Sequence, residues 1–523
     1  MHSFFSYRED SSSYFTVCVS VVNWREIFEK ERERMKILLI SPCKDPDIKY
    51  NKSMIMPQLS LYLLAGLTPL EYEVKIIEED IEDINLDEDC DLVGLSCLTS
   101  NAPRAYLFAQ EFKKKGKTVV MGGVHPTILP DEALQFANSV VIGEAEGVWQ
   151  QLLEDFKNGR LQKKYNKLYP SLEKYIPVKH RRAIKKGFFN VVPVVTTRGC
   201  PYDCDFCCVH DIFGRKIRHV PIENVVRYIV DSGGKIFMFL DDNIIGEPKY
   251  AKELFRAIKP LKIKWVGQAS ISFVHDTELL QLAAESGCGG LFFGLESVSE
   301  YRLEKMRKSL KKIEKVEEAI KKVKSFGIHF HASMVFGFDE DTKQTFTETL
   351  EFLNKNKVGS ATFNILTPYP GTKIYRQFKK EGRLFTDNWK YYDHNTVVYE
   401  PKNLTPLELL AGRLWARREF TKISAIMKRL PFNFAHPLLN LALNIGARYL
   451  CKNEIKNFPK LASELSRLEG RTISKEEKLS LELFKYEDFV PKKIAGARQE
   501  IRAIPGIAEV EDTKKRLTGG KMV

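Results

Sequence analysis

The stretch Val191–Asp211, VVPVVTTRGCPYDCDFCCVHD, joins an apolar run to a polar loop holding four cysteines, Cys200, Cys204, Cys207 and Cys208. The run VVPVV is short and β-branched, as a buried strand is. The loop after it is rich in Gly, Pro and Asp, so its thiols are poor candidates for core packing. Cys200, Cys204 and Cys207 are separated by three and then two residues. Thiolates this close together hold zinc or an iron–sulfur cluster. Structural zinc sites close with four ligands, often as two paired knuckles. Here no second CxxC or HxxxH partner follows at that spacing, although His210 and His219 are near. Three thiolates on one loop instead suit three irons of a cubane, leaving the fourth iron for a ligand. Cys208 directly follows Cys207, and successive residues rarely reach one cluster together. It is expected to be a neighbour.

Downstream, KIFMFLDD, IKWVGQAS, GGLFFGLES, IHFHASMVFGF and SATFNILTP alternate with helical stretches such as DTELLQLAAESG and TKQTFTETLEFLNKNK. Repeated β-α units predict a parallel barrel or partial barrel with its chemistry at the carboxyl-terminal mouth. Asp241, Asp242, Asn243, Gln268, Glu296 and Ser297 fall at those strand ends. Taken singly, the Asp-Asp-Asn run also reads as a turn and helix cap, and Glu296 as an ion-pair partner.

Upstream, from Met35, the strands KILLIS, EVKIIEED, DLVGLSCL, TVVMGG and SVVIGE predict a doubly wound α/β domain. A polar Lys- and Tyr-rich connector follows it. Helical patterning takes over from about Pro401. The expected organisation is an extension over 1–34, an α/β domain over 35–165 and a linker over 166–190. A barrel over 191–395, a helical domain over 396–480 and a charged tail over 481–523 complete it. The α/β class with these parts is the expected fold. MKILLIS at Met35 reads as a natural beginning.

Cys200, Cys204 and Cys207, with Phe206 before the last, resemble the CxxxCxxC motif of the radical S-adenosylmethionine (SAM) superfamily. The resemblance extends over roughly 191–375. It implies a [4Fe-4S] cluster on those cysteines, with SAM on the open iron. Reductive cleavage to a 5′-deoxyadenosyl radical follows, and therefore a ferredoxin- or flavodoxin-type electron donor. FLDDNIIG stands where the family has a segment contacting the SAM amino group, which implicates Asp241, Asp242 and Asn243. FGLESVSE resembles the ribose-contacting segment and implicates Glu296 and Ser297. Gln268 joins them as a SAM contact. Lys308 is the weaker candidate for the SAM carboxylate. PYPGT, Pro368–Thr372, resembles the turn after the last barrel strand.

The first domain resembles the cobalamin-binding domain that precedes such barrels in one subclass. LTSNAPRAY, GGVHPTILPDEA and GEAEGVWQQLL carry the likeness. It implicates Gly122 and Gly123 in close approach of the corrin, and Ser96, Thr99 and Ser100 in hydrogen bonds to it. SPCKDPDIK replaces the Asp-x-His-x-x-Gly motif that supplies a cobalt ligand elsewhere, so cobalamin is expected to bind without it. His125, before a proline, is expected to be structural. The helical region resembles that of the hopanoid methylases. Its mixture of basic, aromatic and aliphatic residues fits either a lipid-contacting surface or a cap over the barrel mouth. A methylthiotransferase is disfavoured, because Cys43, Cys90 and Cys97 lack the spacing of a second cluster.

The subclass implies methylation of an unactivated carbon in a small-molecule or lipid substrate, with SAM serving both as methyl source and as radical source. Radical cyclisation, oxidation or C–C coupling is the alternative, and a zinc-stabilised binding protein stands behind it. Composition agrees with an enzyme of several domains. The 523 residues are 44% hydrophobic and 28% charged, enough for sizeable cores. The net charge of +13 comes from lysines spread among glutamates, so no nucleic acid partner is expected. No apolar run reaches the roughly 20 residues of a membrane span, and ten scattered cysteines do not make a secreted disulfide framework. A cytoplasmic protein is expected, with a peripheral membrane contact compatible with its helical region.

Overall fold

The computed structural model describes residues 34–47, 58–173, 191–305, 313–430 and 436–470. The first 33 residues, Lys308 and the charged tail lie outside them. The first sheet holds β1 (Lys36–Ser41), β2 (Glu73–Glu78), β3 (Leu92–Ser96), β4 (Thr118–Gly122), β5 (Ser139–Gly143) and β6 (Lys164–Lys167). All are parallel, in the order β2-β1-β3-β4-β5-β6. Leu38–Ile40, Leu92, Val93 and Val119–Met121 are buried, because helices cover both faces of a parallel sheet. The order reverses between β1 and β3, and ligands of such sheets sit beside that reversal at the carboxyl ends.

The sequence placed the segment at β6 in a connector, running two residues past the expected boundary at 165. Only Tyr165 of KYNK is buried. A polar edge strand shows no apolar run, and its pairing with β5 is a backbone property.

The second sheet is built from β7 (Val191–Val194), then, beyond a two-residue antiparallel pair β8 (Thr197–Arg198) and β9 (Arg218–His219), from β10 to β14. These are Ile236–Phe239, Lys264–Ala269, Cys288–Glu296, His329–Phe336 and Ser360–Ile365. They run parallel in chain order, with β7 and β14 at the two edges, so the barrel is partial. One row of each strand packs outward on helices. Trp265 is wedged between Phe239 and Phe255, both 5.1 Å away between ring centres, and Phe293 stacks on Phe330 at 4.4 Å.

Among the described residues the helical region does not cap the mouth. Helix Pro406–Phe420 starts with a capping box, in which Thr405 Oγ1 accepts from Glu408 N (3.2 Å) and Glu408 Oε2 from Thr405 N (2.8 Å). The helix lies along the β14 edge, where Arg413 Nε donates to Phe363 O (2.9 Å). Helix Pro437–Lys456 meets the opposite end of β14, with Asn444 Nδ2 donating to Gly359 O (2.8 Å). The open edge is thus covered and the mouth is left to the first domain.

Candidate active site

The cysteine loop leaves β7 through a staple. The Oδ1 atom of the fully buried Asp241, at the end of β10, accepts from the Thr196 amide (3.1 Å), both threonine hydroxyls (2.7 Å each) and the Thr197 amide. Gly199 then turns the chain at φ +96°, where a Cβ would stand 2.6 Å from Lys216 O. Only glycine fits. Cys200 N donates to Gly214 O (3.2 Å) and Cys207 N to Cys204 O (3.2 Å).

All four thiols are reduced and partly exposed. Burial pushes the Cys207 thiol up to about 12, and charge on Cys208, Cys204 and Cys200 pushes the same way, so the four share one electrostatic neighbourhood. Burial likewise pushes Cys208 up to about 11, with further pressure from Asp211 and Asp242. Among the described residues no three His, Cys, Asp or Glu side chains converge at metal-ligand geometry. The thiols are gathered on one loop, not preset as a cage. The donor set nevertheless has the chemistry of a cluster site, since a metal centre overturns the cost of ionising buried thiols. Phe206 meets the Phe338 ring edge-on at 5.9 Å.

The other strand-end residues divide into supports and lumen groups. Asp242 is pushed up to about 6 by burial and by Asp241, against the Gly199 N–H. Asn243 Oδ1 accepts from Ser270 N (3.0 Å), which ties the ends of β10 and β11 together. Gln268 is exposed on the row opposite Trp265 and Ala269. Glu296 sits at φ +64°, beside a register shift between Gly294 and Glu296. Non-glycine residues take that conformation rarely and chiefly where function or packing demands it. Ser297 is buried, and its Oγ accepts from Ser299 N (3.1 Å).

Two residues here had no motif to mark them. Arg302 is buried with its guanidinium 3.7 Å above the Phe338 ring, and its Nε has no partner among the described residues. His394, also at φ +64°, stands T-shaped to Tyr369 at 5.1 Å. Both belong to segments whose sequence reads as ordinary helix start or loop.

A cavity of about 440 Å³ lies where the two sheets face each other. Ser96, Gly122, Gly123, Gly143 and Glu144 line it from the first domain, and Val195, Arg198, Phe213 and Leu240 from the barrel. Gly123 takes φ +101°, and a Cβ there would stand 2.6 Å from Cys97 O; at Gly122 the nearest atom would be 3.6 Å away. Gly123 is therefore required by the backbone, whereas a Cβ at Gly122 would meet Val141 at ordinary van der Waals distance. Thr99 is buried in a short turn and does not line the cavity. Neither does His125, which is fully buried with Nε2 at 3.0 Å from Tyr106 Oη and its ring 5.4 Å from Trp389. Apolar walls with few polar groups and glycine backbone suit a large flat ligand such as a corrin.

Known proteins match both halves. The B12 binding domain family matches residues 56–153, and the radical SAM superfamily family matches residues 194–353. Bacteriochlorophyllide d C-12(1)-methyltransferase of Chlorobaculum tepidum is 31% identical, over 80% of this chain and 95% of its own length. Hopanoid C-2 methylase of Rhodopseudomonas palustris is 23% identical, over 64% of this chain and 66% of its own. Among solved structures, the cobalamin-dependent SAM radical enzyme OxsB superposes with a TM-score of 0.60 at 16% identity, covering 98% of this chain and 87% of that one. The radical SAM methyltransferase TsrM from Kitasatospora setae superposes at 0.56 with 17% identity, covering 66% and 78%. At such identities the structures speak for the fold alone. The chain belongs to the radical SAM superfamily, among the methyltransferases in which a B12-binding domain precedes the barrel.

Proposed function

We propose that the protein methylates an unactivated carbon of a small, largely apolar molecule. The observation that carries this is the cavity lined jointly by the first sheet and the barrel, which gives the methyl carrier and the radical source one largely apolar chamber. When bound, the cluster, SAM and cobalamin supply the electron, the hydrogen-abstracting radical and the methyl group. The chain supplies position and exclusion of water.

Cys200, Cys204 and Cys207 are assigned to the cluster, and Cys208 is left beside it. Phe206 anchors the loop on Phe338. Asp241 and Asn243 hold the strand ends, so Asp242 is the member of that run left to meet the SAM amino group. Gln268, Glu296 and Ser297 stand for the ribose and its neighbours. Arg302, a buried cation with an unspent donor, takes the carboxylate end in place of Lys308. Ser96, Gly122 and Gly123 border the corrin, and Thr99, buried away from the cavity, is left out of its contacts. A ferredoxin- or flavodoxin-type donor supplies the electron, and the protein works in the cytoplasm.

The test is iron, sulfide and visible absorption of anaerobically purified variants. Cys204→Ala is expected to lose the cluster and to release no 5′-deoxyadenosine, while Cys208→Ala keeps both. Full iron in Cys204→Ala would refute the assignment of ligands. Colourless wild-type protein with one zinc would refute the radical reading altogether.

A further inference from the structure

Helix Pro437–Lys456 is inside out. Its buried side carries Asn440, Asn444 and Cys451. The asparagines are spent on the fold: Asn444 Nδ2 donates to Gly359 O and to Asn440 Oδ1 (2.9 Å), and Arg429 Nη2 donates to Asn444 Oδ1 (3.2 Å). Its outer side carries Leu438, Ala442, Ile445 and Tyr449 at intervals of four, three and four residues, continued by Lys452 and Lys456, all exposed. Leu438 is 81% exposed and Tyr449 65%. A helix in water turns its apolar stripe inward.

The neighbouring helix Ile423–Arg429 enlarges the stripe into a face. Arg448 Nη1 donates to Thr421 O (3.0 Å), which brackets the two helices side by side. Ile423 is 63% exposed and Met427 55%. Of the fifteen large hydrophobic residues exposed in the described residues, seven lie between Ile423 and Ile455. Leu450 and Ile455 fall off the stripe, but the other five gather on one face, and a gathered apolar patch marks a contact surface.

Charge selects the partner. From Lys422 to Lys456 the chain carries six Lys or Arg and one acid, Glu454. Glu454 is turned to Arg413 and Arg417, which leaves Lys428, Lys452 and Lys456 exposed around the apolar stripe. A second copy across a two-fold axis would oppose like patches and like charges. Anionic headgroups over an acyl boundary complement both features. No helix among the described residues is long and apolar enough to cross a membrane, so the contact lies flat. We propose that the face formed by Ile423, Met427, Leu438, Ile445 and Tyr449, with its lysines, docks on an anionic lipid surface. The buried side of the helix carrying this face meets the end of β14 opposite the mouth, so the face anchors the enzyme without feeding the chamber.

The full chain, with its cluster, is tested by co-sedimentation with phosphatidylcholine vesicles and with vesicles that also contain phosphatidylglycerol. Binding is expected only to the latter and is expected to fall with salt. The double variant Ile445→Glu and Tyr449→Glu is expected to lose partitioning at least about tenfold. Lys452→Glu with Lys456→Glu is expected to lose a comparable share together with most of the salt dependence. Unchanged 5′-deoxyadenosine release shows that the variants fold. No binding to anionic vesicles, or equal binding by the variants, would overturn the proposal. So would light scattering that shows a dimer abolished by Ile445→Glu, because the face would then belong to a second copy.

Discussion

Asp241 brings four donors to one carboxylate oxygen at the root of the cysteine loop, and burial pushes its pKa up despite them. It therefore acts on the site through Thr196 and Thr197, as a positioning residue. Asp241→Ala strands two amides and two hydroxyls in the interior, and a loss of about 2–4 kcal/mol is expected in urea unfolding. Asp241→Asn keeps the accepting oxygen and should lose clearly less. Equal losses would mean that the negative charge, not the geometry, holds the loop. The sequence marked Asp241 together with Asp242 and Asn243, yet nothing in the one-letter pattern separates a staple from a ligand contact. The same is true of Gly122 and Gly123, because only the backbone angle and the proximity of Cys97 tell them apart.

At the scale of elements, the β13–β14 pair contains an unusual polar patch at the base of the barrel. His329 Nε2 and His331 Nδ1 both lie 2.7 Å from Ser360 Oγ, and the His331 ring lies tilted against Phe292 at 4.4 Å. Burial depresses the two imidazoles from 6.5 to about 4 and about 3. Below pH 6.5 the unfolded chain takes up protons that the folded chain refuses. The pair's contribution is therefore present at neutral pH and is lost as pH falls from 6.5 towards 4. Asp341, pushed up to about 7 by burial, works in the opposite sense, so the comparison of variants is the decisive one. Replacing both histidines by Gln is expected to flatten the rise of unfolding free energy between pH 4 and 6.5. An unaltered slope would show that the imidazoles are not held neutral.

The elements themselves were largely legible. Eleven strands announced themselves as apolar runs, each followed by a turn, because a parallel sheet buried on both faces leaves no other pattern. β6 was not legible, since a polar edge strand resembles a connector. Helix Pro437–Lys456 was legible as a helix but not in its orientation. Its mixed residues fitted either a lipid-contacting surface or a cap, and the choice is made by Gly359 and Arg429, which draw its asparagines inward.

At the scale of the whole molecule, the two domains are joined at the chamber by charge. Glu144, buried at the end of β5, receives Arg198 from the cysteine loop and Arg218 at 2.5 Å, and Glu146 takes the other arm of Arg198 at 2.5 Å. On the far side Lys390 meets Asp45 at 2.8 Å, and the Trp389 indole donates to Glu132 (2.8 Å). Removing one partner of a buried pair leaves its charge uncompensated, which costs about 3–5 kcal/mol. Glu144→Ala is therefore expected to weaken the junction and to split thermal unfolding into two transitions, one for each domain. A single transition at the wild-type temperature would show that the clamp carries no weight. Neither arginine was marked in advance, because an ion pair between residues 54 or 74 positions apart leaves no local pattern.

The central claim is that one chamber unites cobalamin-borne methyl chemistry with SAM-derived radical chemistry. It is tested most directly by incubating the reconstituted protein with SAM and a chemical reductant, with and without cobalamin, and quantifying two products by mass spectrometry. The expected result is 5′-deoxyadenosine in both cases and S-adenosylhomocysteine only when cobalamin is present. S-adenosylhomocysteine formed equally without cobalamin, or no 5′-deoxyadenosine from protein with a full complement of iron, would contradict it.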